Sequence, residues 1–164
     1  MTEVDLAQHS LVALTDDDPA GRYCVLTRSG STYVVGISPD APLTVRRLSE
    51  IEVELETLDG ELGVTDETGH DETGLPAVSR FHYRLDERGE VVWQRPGARD
   101  GAGRAYIGTQ RQTTRVMLIV RADEPGVVEA VRAIADLPAP EREAVALAVR
   151  SKAQEMARRA AQED

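Results

Sequence analysis

Two short stretches of this chain alternate with a period of two. Ile51-Glu52-Val53-Glu54-Leu55-Glu56 sets apolar residues against glutamates, and Arg80-Phe81-His82-Tyr83-Arg84-Leu85 sets basic residues against apolar ones. Successive side chains of a strand point to opposite faces, so each stretch reads as a strand with one buried and one wet face. The two wet faces carry opposite charge. Side by side in one sheet they would attract across the ladder. The expectation is that Glu52, Glu54 and Glu56 neutralise Arg80, His82 and Arg84.

The rest of residues 21–121 reads as strand and turn. Arg22–Thr27 and Thr32–Ser38 are rich in Tyr, Val and Thr, and Arg28-Ser29-Gly30-Ser31 between them supplies a hairpin turn. Pro39-Asp40-Ala41-Pro42 is a second turn, and Leu43–Leu48 a third strand. Glu90–Arg95 follows the turn Asp86-Glu87-Arg88-Gly89, and Arg104–Thr109 is short enough for one further strand. Thr113–Arg121 holds the unbroken run Val116-Met117-Leu118-Ile119-Val120. A continuous apolar run of strand length implies cover on both faces. Residues 59–76 and 96–103 are Gly-rich loops.

Helices are expected at the end. Asp123 or Glu124 can cap the first, with Pro125 in its first turn. Val127, Ala130, Val131, Ile134 and Leu137 lie on one helical stripe. Pro138-Ala139-Pro140 breaks that helix, and a second runs over 141–161 with a stripe of Val145, Val149, Ala153, Met156, Ala157 and Ala160. The stripe is mostly alanine, and small residues allow close helix–helix approach. Residues 1–20 form an N-terminal arm whose Val4-Leu6 and Leu11–Leu14 can dock as a short strand or helix. The class is therefore α+β: a mainly antiparallel sheet over 21–121, curled into a small barrel or sandwich, followed by two helices within 122–164.

Charge divides the chain. Its net charge is −10, yet residues 77–121 carry 9 basic and 4 acidic side chains, whereas 1–76 carry 16 acidic and 4 basic. An acidic total disfavours nonspecific nucleic-acid or anionic-membrane binding. Phe81 and Trp93 are the only Phe and Trp, which weakens any scheme that needs base-stacking platforms. Lys152 is the sole lysine among 19 basic residues. With the abundant Ala, Val and Asp, this points to a high-GC bacterium or its phage. Cys24 is alone, so neither a disulfide within the chain nor a cysteine zinc site is expected. No apolar run approaches membrane-spanning length and no leader-like segment opens the chain, so a cytoplasmic location is expected.

Four groups of residues carry candidate chemistry. Arg80, His82 and Arg84 could together hold a phosphate or carboxylate, because guanidinium forks match oxyanions. Arg99, Arg104 and Arg111, with Arg115, flank a Gly-rich loop that could touch nucleic acid, although the loop has neither P-loop nor dinucleotide spacing. Asp66, Glu67, His70, Asp71 and Glu72 sit in a small tandem repeat that offers hard oxygen ligands to a divalent cation. Val145, Val149, Ala153, Met156 and Ala160 are the expected oligomer contact. Neither a catalytic constellation nor a cofactor motif stands out: no Gly-x-Ser-x-Gly elbow is present, and Cys24 has no evident His partner.

Two local resemblances exist. Leu137-Pro138-Ala139-Pro140-Glu141-Arg142-Glu143-Ala144-Val145-Ala146-Leu147 resembles the opening of sigma-factor region 4. The turn and basic recognition helix that complete that module do not follow in 148–164, so no DNA-reading element is expected from it. Thr27-Arg28-Ser29-Gly30-Ser31-Thr32-Tyr33 is similar to a Thr-x-Ser-Gly-Ser-x-Tyr hairpin of small uncharacterised proteins from high-GC bacteria and their phages, and implies no activity.

The leading expectation is a non-enzymatic adaptor or inhibitor-type protein that acts through a protein partner or a homo-oligomer. The alternatives are a regulatory nucleic-acid-binding module using the Arg-rich middle, and an enzyme acting on an anionic substrate at Arg80, His82 and Arg84.

Overall fold

The computed structural model describes residues 4–48, 77–94 and 109–163. Seven strands fall within them: β1 Ala13–Thr15, β2 Gly21–Thr27, β3 Thr32–Ser38, β4 Ala41–Arg47, β5 Ala77–Arg84, β6 Arg88–Gln94 and β7 Thr109–Arg121. A 3-10 turn, Leu6–His9, precedes them, and two helices follow, α1 Val127–Ala135 and α2 Ala139–Glu163. The protein is an α+β fold in which an antiparallel sheet leads into two C-terminal helices.

The sheet runs β1-β5-β4-β3-β2-β7-β6, and β6 also pairs with β5. It thus curls until its last strand meets β5. The seam between β4 and β5 is a single residue pair, Leu43 with Val78, so the curl does not close into a continuous ladder. Bulges at Leu26/Thr27, Gly36/Ser38, Val78/Arg80 and Arg88/Glu90 supply the bending.

Alternation sorts the strands into two cores. Tyr23, Val25, Val35, Phe81, Tyr83, Val91, Val116 and Ile119 point into the curl. Cys24, Leu26, Leu118 and Val120 point outward and are covered by Val127, Val131 and Ile134 of α1 and by Leu6. Both faces of β2 and β7 are therefore buried, as the apolar run at 116–120 implied. Gly89 is needed for packing: a Cβ there would collide with the Tyr83 ring.

The N-terminal arm docks as anticipated, with Leu6 and Ala7 buried in the 3-10 turn and Leu14 fully buried in β1. The α1 cap differs from expectation. Gly126, at φ 91°, takes the cap position without a side-chain hydrogen bond. Asp123 instead accepts a 2.9 Å bond from the Arg22 amide and pairs with Arg121, fastening the β7 end to β2. That long-range use of the carboxylate had no local signature.

The described pairing of β5 involves three strands. One edge of β5 is held by β6; the other is shared between β1, over Thr15–His82 to Ala13–Arg84, and β4 at Val78. Among the described residues its ladder neighbours are thus β6, β1 and β4; the acidic stretch 51–58, expected beside it, lies outside the described residues. Period-two alternation fixes which face a strand buries, but not which strand lies beside it.

Candidate binding surface

Phe81 and Tyr83 are buried inside the curl, which turns Arg80, His82 and Arg84 outward, where all three are exposed. The next strand obeys the same parity. Gly89 and Val91 face inward, so Arg88, Glu90 and Val92 face out. On β7, inward Val116 leaves Arg115 exposed on the same side. Register places His82 opposite Glu90, Arg80 opposite Val92, and Arg88 opposite Arg115. The outward wall of β5, β6 and β7 thus gathers Arg80, Arg84, Arg88, Arg115 and His82. Its described carboxylates are Glu90, Asp86 and Glu87 at the β5–β6 turn, and, at its β1 edge, Asp16, whose Oδ1 accepts a 3.3 Å bond from the Phe81 amide.

Asp86 is committed mainly to α2. It sits at φ 69° in the turn and takes a two-pronged contact from α2, with Arg150 Nη1 3.0 Å from Oδ1 and Nη2 2.7 Å from Oδ2. The Arg150 hydrogen bonds hold its carboxyl below the ordinary value of 3.8, with a further contribution from the charge of Arg115. Among the described residues, Arg80, Arg84, Arg88 and Arg115 have no carboxylate within salt-bridge distance. Arg88 and Arg115 are like charges directly opposite on paired strands, which is an unfavourable arrangement that a bound anion would relieve.

The other sequence candidates divide. Arg111 lies in β7 opposite Val91. Arg99 and Arg104, and the acidic group Asp66, Glu67, His70, Asp71 and Glu72, lie outside the described residues. Among the described residues no group of three or more His, Cys, Asp or Glu could hold a metal ion. Arg88 was missed as a surface residue because it reads as part of a turn. Its membership follows only from the β5–β6 and β6–β7 registers.

On α2, Val149 packs onto the second core, and Ala153 and Met156 are half-buried, whereas Val145 is 37% exposed and Ala160 is exposed. The helix lies over the 3-10 turn, β7 and α1. Its seam follows Arg142, Ala146, Val149, Ala153 and Met156, so Val145 falls beside the expected stripe. Polar contacts hold it there. Arg142 donates to the carbonyls of Leu137 at 3.0 Å, Ala135 at 3.4 Å and Arg28 at 2.9 Å, tying the end of α1 to the β2–β3 turn. Lys152 Nζ lies 3.0 Å from Asp5 Oδ2.

A cleft of about 190 Å³ opens between that turn and the end of α1, lined by Ser31, Thr32, Arg47, Arg132 and Asp136 among others. It mixes both signs of charge and selects no single ligand class. Cys24 is no nucleophile at neutral pH, since burial beneath α1 pushes its thiol up to about 12. Comparison with protein-family models, curated proteins and solved structures finds no match to this chain.

Proposed function

We propose that this protein is a non-enzymatic adaptor or inhibitor-type protein that works through protein–protein contacts, with α2 as the element that meets the partner. One observation carries the reading: of the 25 residues of α2, Ala146 alone is buried. A helix that long with so little cover on its own body is suited to bridging to another molecule. Its last turns, 157–163, are exposed on every side, and Val145 and Leu147, at 37% and 46% exposure, present apolar surface to solvent. The partner is a second copy of the chain or another protein. No helix among the described residues is long and apolar enough to cross a membrane. The free thiol of Cys24 suits a reducing cytoplasm.

The test is native mass spectrometry of the gently purified full-length protein beside a Val145→Glu, Leu147→Glu variant. An assembly in the parent that the paired substitution dissociates supports the reading. A parent that is a single copy with no protein bound overturns it.

A further inference from the structure

The geometry points to a second contact surface, independent of α2: we propose that the outward wall of β5, β6 and β7 docks an extended acidic polypeptide segment. The wall presents Arg80, His82 and Arg84 from β5, Arg88 from β6 and Arg115 from β7, all exposed. Most of the described carboxylates lie on elements other than these three strands. At physiological salt, charges more than about 8 Å away are largely screened, so a bound segment responds to what lies directly beneath it.

Spacing selects the occupant. Arg80, His82 and Arg84 are alternate residues of one strand, and alternate residues lie about 6.6–6.8 Å apart. An extended peptide repeats its own same-side residues at the same interval. Carboxylates spaced along such a segment can therefore meet Arg80 and Arg84 in register, each taking a guanidinium fork, with His82 between them. Arg88 and Arg115, side by side on the neighbouring strands, hold a further carboxylate between them and lose their mutual repulsion. Nucleic acid fits less well. Single-stranded nucleic acid is held by aromatic stacking as well as charge, and the described outward residues of these strands include no Phe, Tyr or Trp. Glu90, opposite His82, interrupts the wall at one point, so the segment binds best where it leaves a neutral residue beside that pair.

Fluorescence anisotropy on the full-length protein tests this. The probes are a labelled peptide alternating Glu and Ser, a peptide of the same composition with its glutamates in one block, and an oligothymidylate of equal charge. The alternating peptide is expected to bind most tightly at low salt and to weaken as salt rises. Arg80→Glu with Arg84→Glu, and Arg88→Glu with Arg115→Glu, should each weaken it by about tenfold or more. The milder Arg→Gln pairs should rank the same way, and Arg158→Gln with Arg159→Gln on α2 should leave the peptide affinity unchanged. No peptide binding at low salt, binding indifferent to the wall substitutions, or tighter binding of the oligothymidylate overturns the proposal. The wall variants leave any α2-dependent assembly intact, so failure here and failure of the α2 reading are separable.

Discussion

Strand β7 and helix α2 are held to the same molecule by different physics. In β7, Val116, Leu118, Ile119 and Val120 are fully buried, two in each core. Burial of each such side chain is worth about 1.5–3 kcal/mol, and it involves no charge for salt to screen or pH to titrate. α2, with nearly twice as many residues, fully buries one alanine and half-buries Val149, Ala153 and Met156, and its polar anchors are Arg142, Arg150 and Lys152 reaching carbonyls and carboxylates. Exposed ion pairs contribute about 0–1 kcal/mol each and are screened by salt. The contrast teaches that chain length in a helix says little about how firmly it is attached. The body of the protein is set by apolar packing, and α2 is a fitted attachment that opens more cheaply than the sheet unfolds.

The comparison can be broken or sharpened by substitution. Leu118→Ala should have the largest effect. It removes a side chain from between the sheet and α1 and should cost about 2–5 kcal/mol of global stability, read from the midpoint of urea unfolding. A cost below 1 kcal/mol would mean that β7 is less tightly enclosed than its burial shows.

Arg142→Met comes next. It keeps the apolar stem but leaves the carbonyls of Arg28, Ala135 and Leu137 without their donor, at about 1–3 kcal/mol. Its distinguishing readout is hydrogen exchange. Amides of α2 and of the β2–β3 turn should exchange faster, while those of β7 keep the protection set by global unfolding. Uniform loss across both elements would show that α2 is part of the same cooperative unit.

The smallest effect is expected from Arg150→Gln, below about 1 kcal/mol near neutral pH, because Asp86 is 70% exposed. Its sign with pH is defined. The folded carboxyl of Asp86 titrates below its ordinary 3.8, so the pair contributes above that value. The contribution fades as pH falls below 3.8 and through the lowered folded value. Parent and variant should therefore differ at neutral pH and converge in acid, and high salt should narrow the gap. A difference that persists in acid would assign Arg150 a packing role instead.

Much of the architecture was legible in the residues because it is local. The hairpin about Gly30, the doubly covered run at Val116–Val120 and the apolar stripe of α1 each state their periodicity within a few positions. The candidate surface was half legible. Alternation put Arg80, His82 and Arg84 on one wet face, but Arg88 and Arg115 joined them only through strand register. The neutralising partner expected from Glu52, Glu54 and Glu56 lies outside the described residues. The α2 seam shares Val149, Ala153 and Met156 with the expected stripe but adds Arg142 and Arg150, whose partners Arg28 and Asp86 are 114 and 64 residues away and so had no local signature.

By itself, then, the order of residues determined which segments are strands and helices and which side of each is apolar, since period and turn chemistry are properties of neighbouring residues. Tertiary structure alone decided that β5 lies between β6 and the β1/β4 edge, that Asp123 ties β7 to β2 instead of capping α1, and that four arginines share one wall. Those outcomes depend on how a twisted sheet curls and where its bulges fall, and the free energy that selects them is shared among contacts too far apart in the chain for any short stretch to encode.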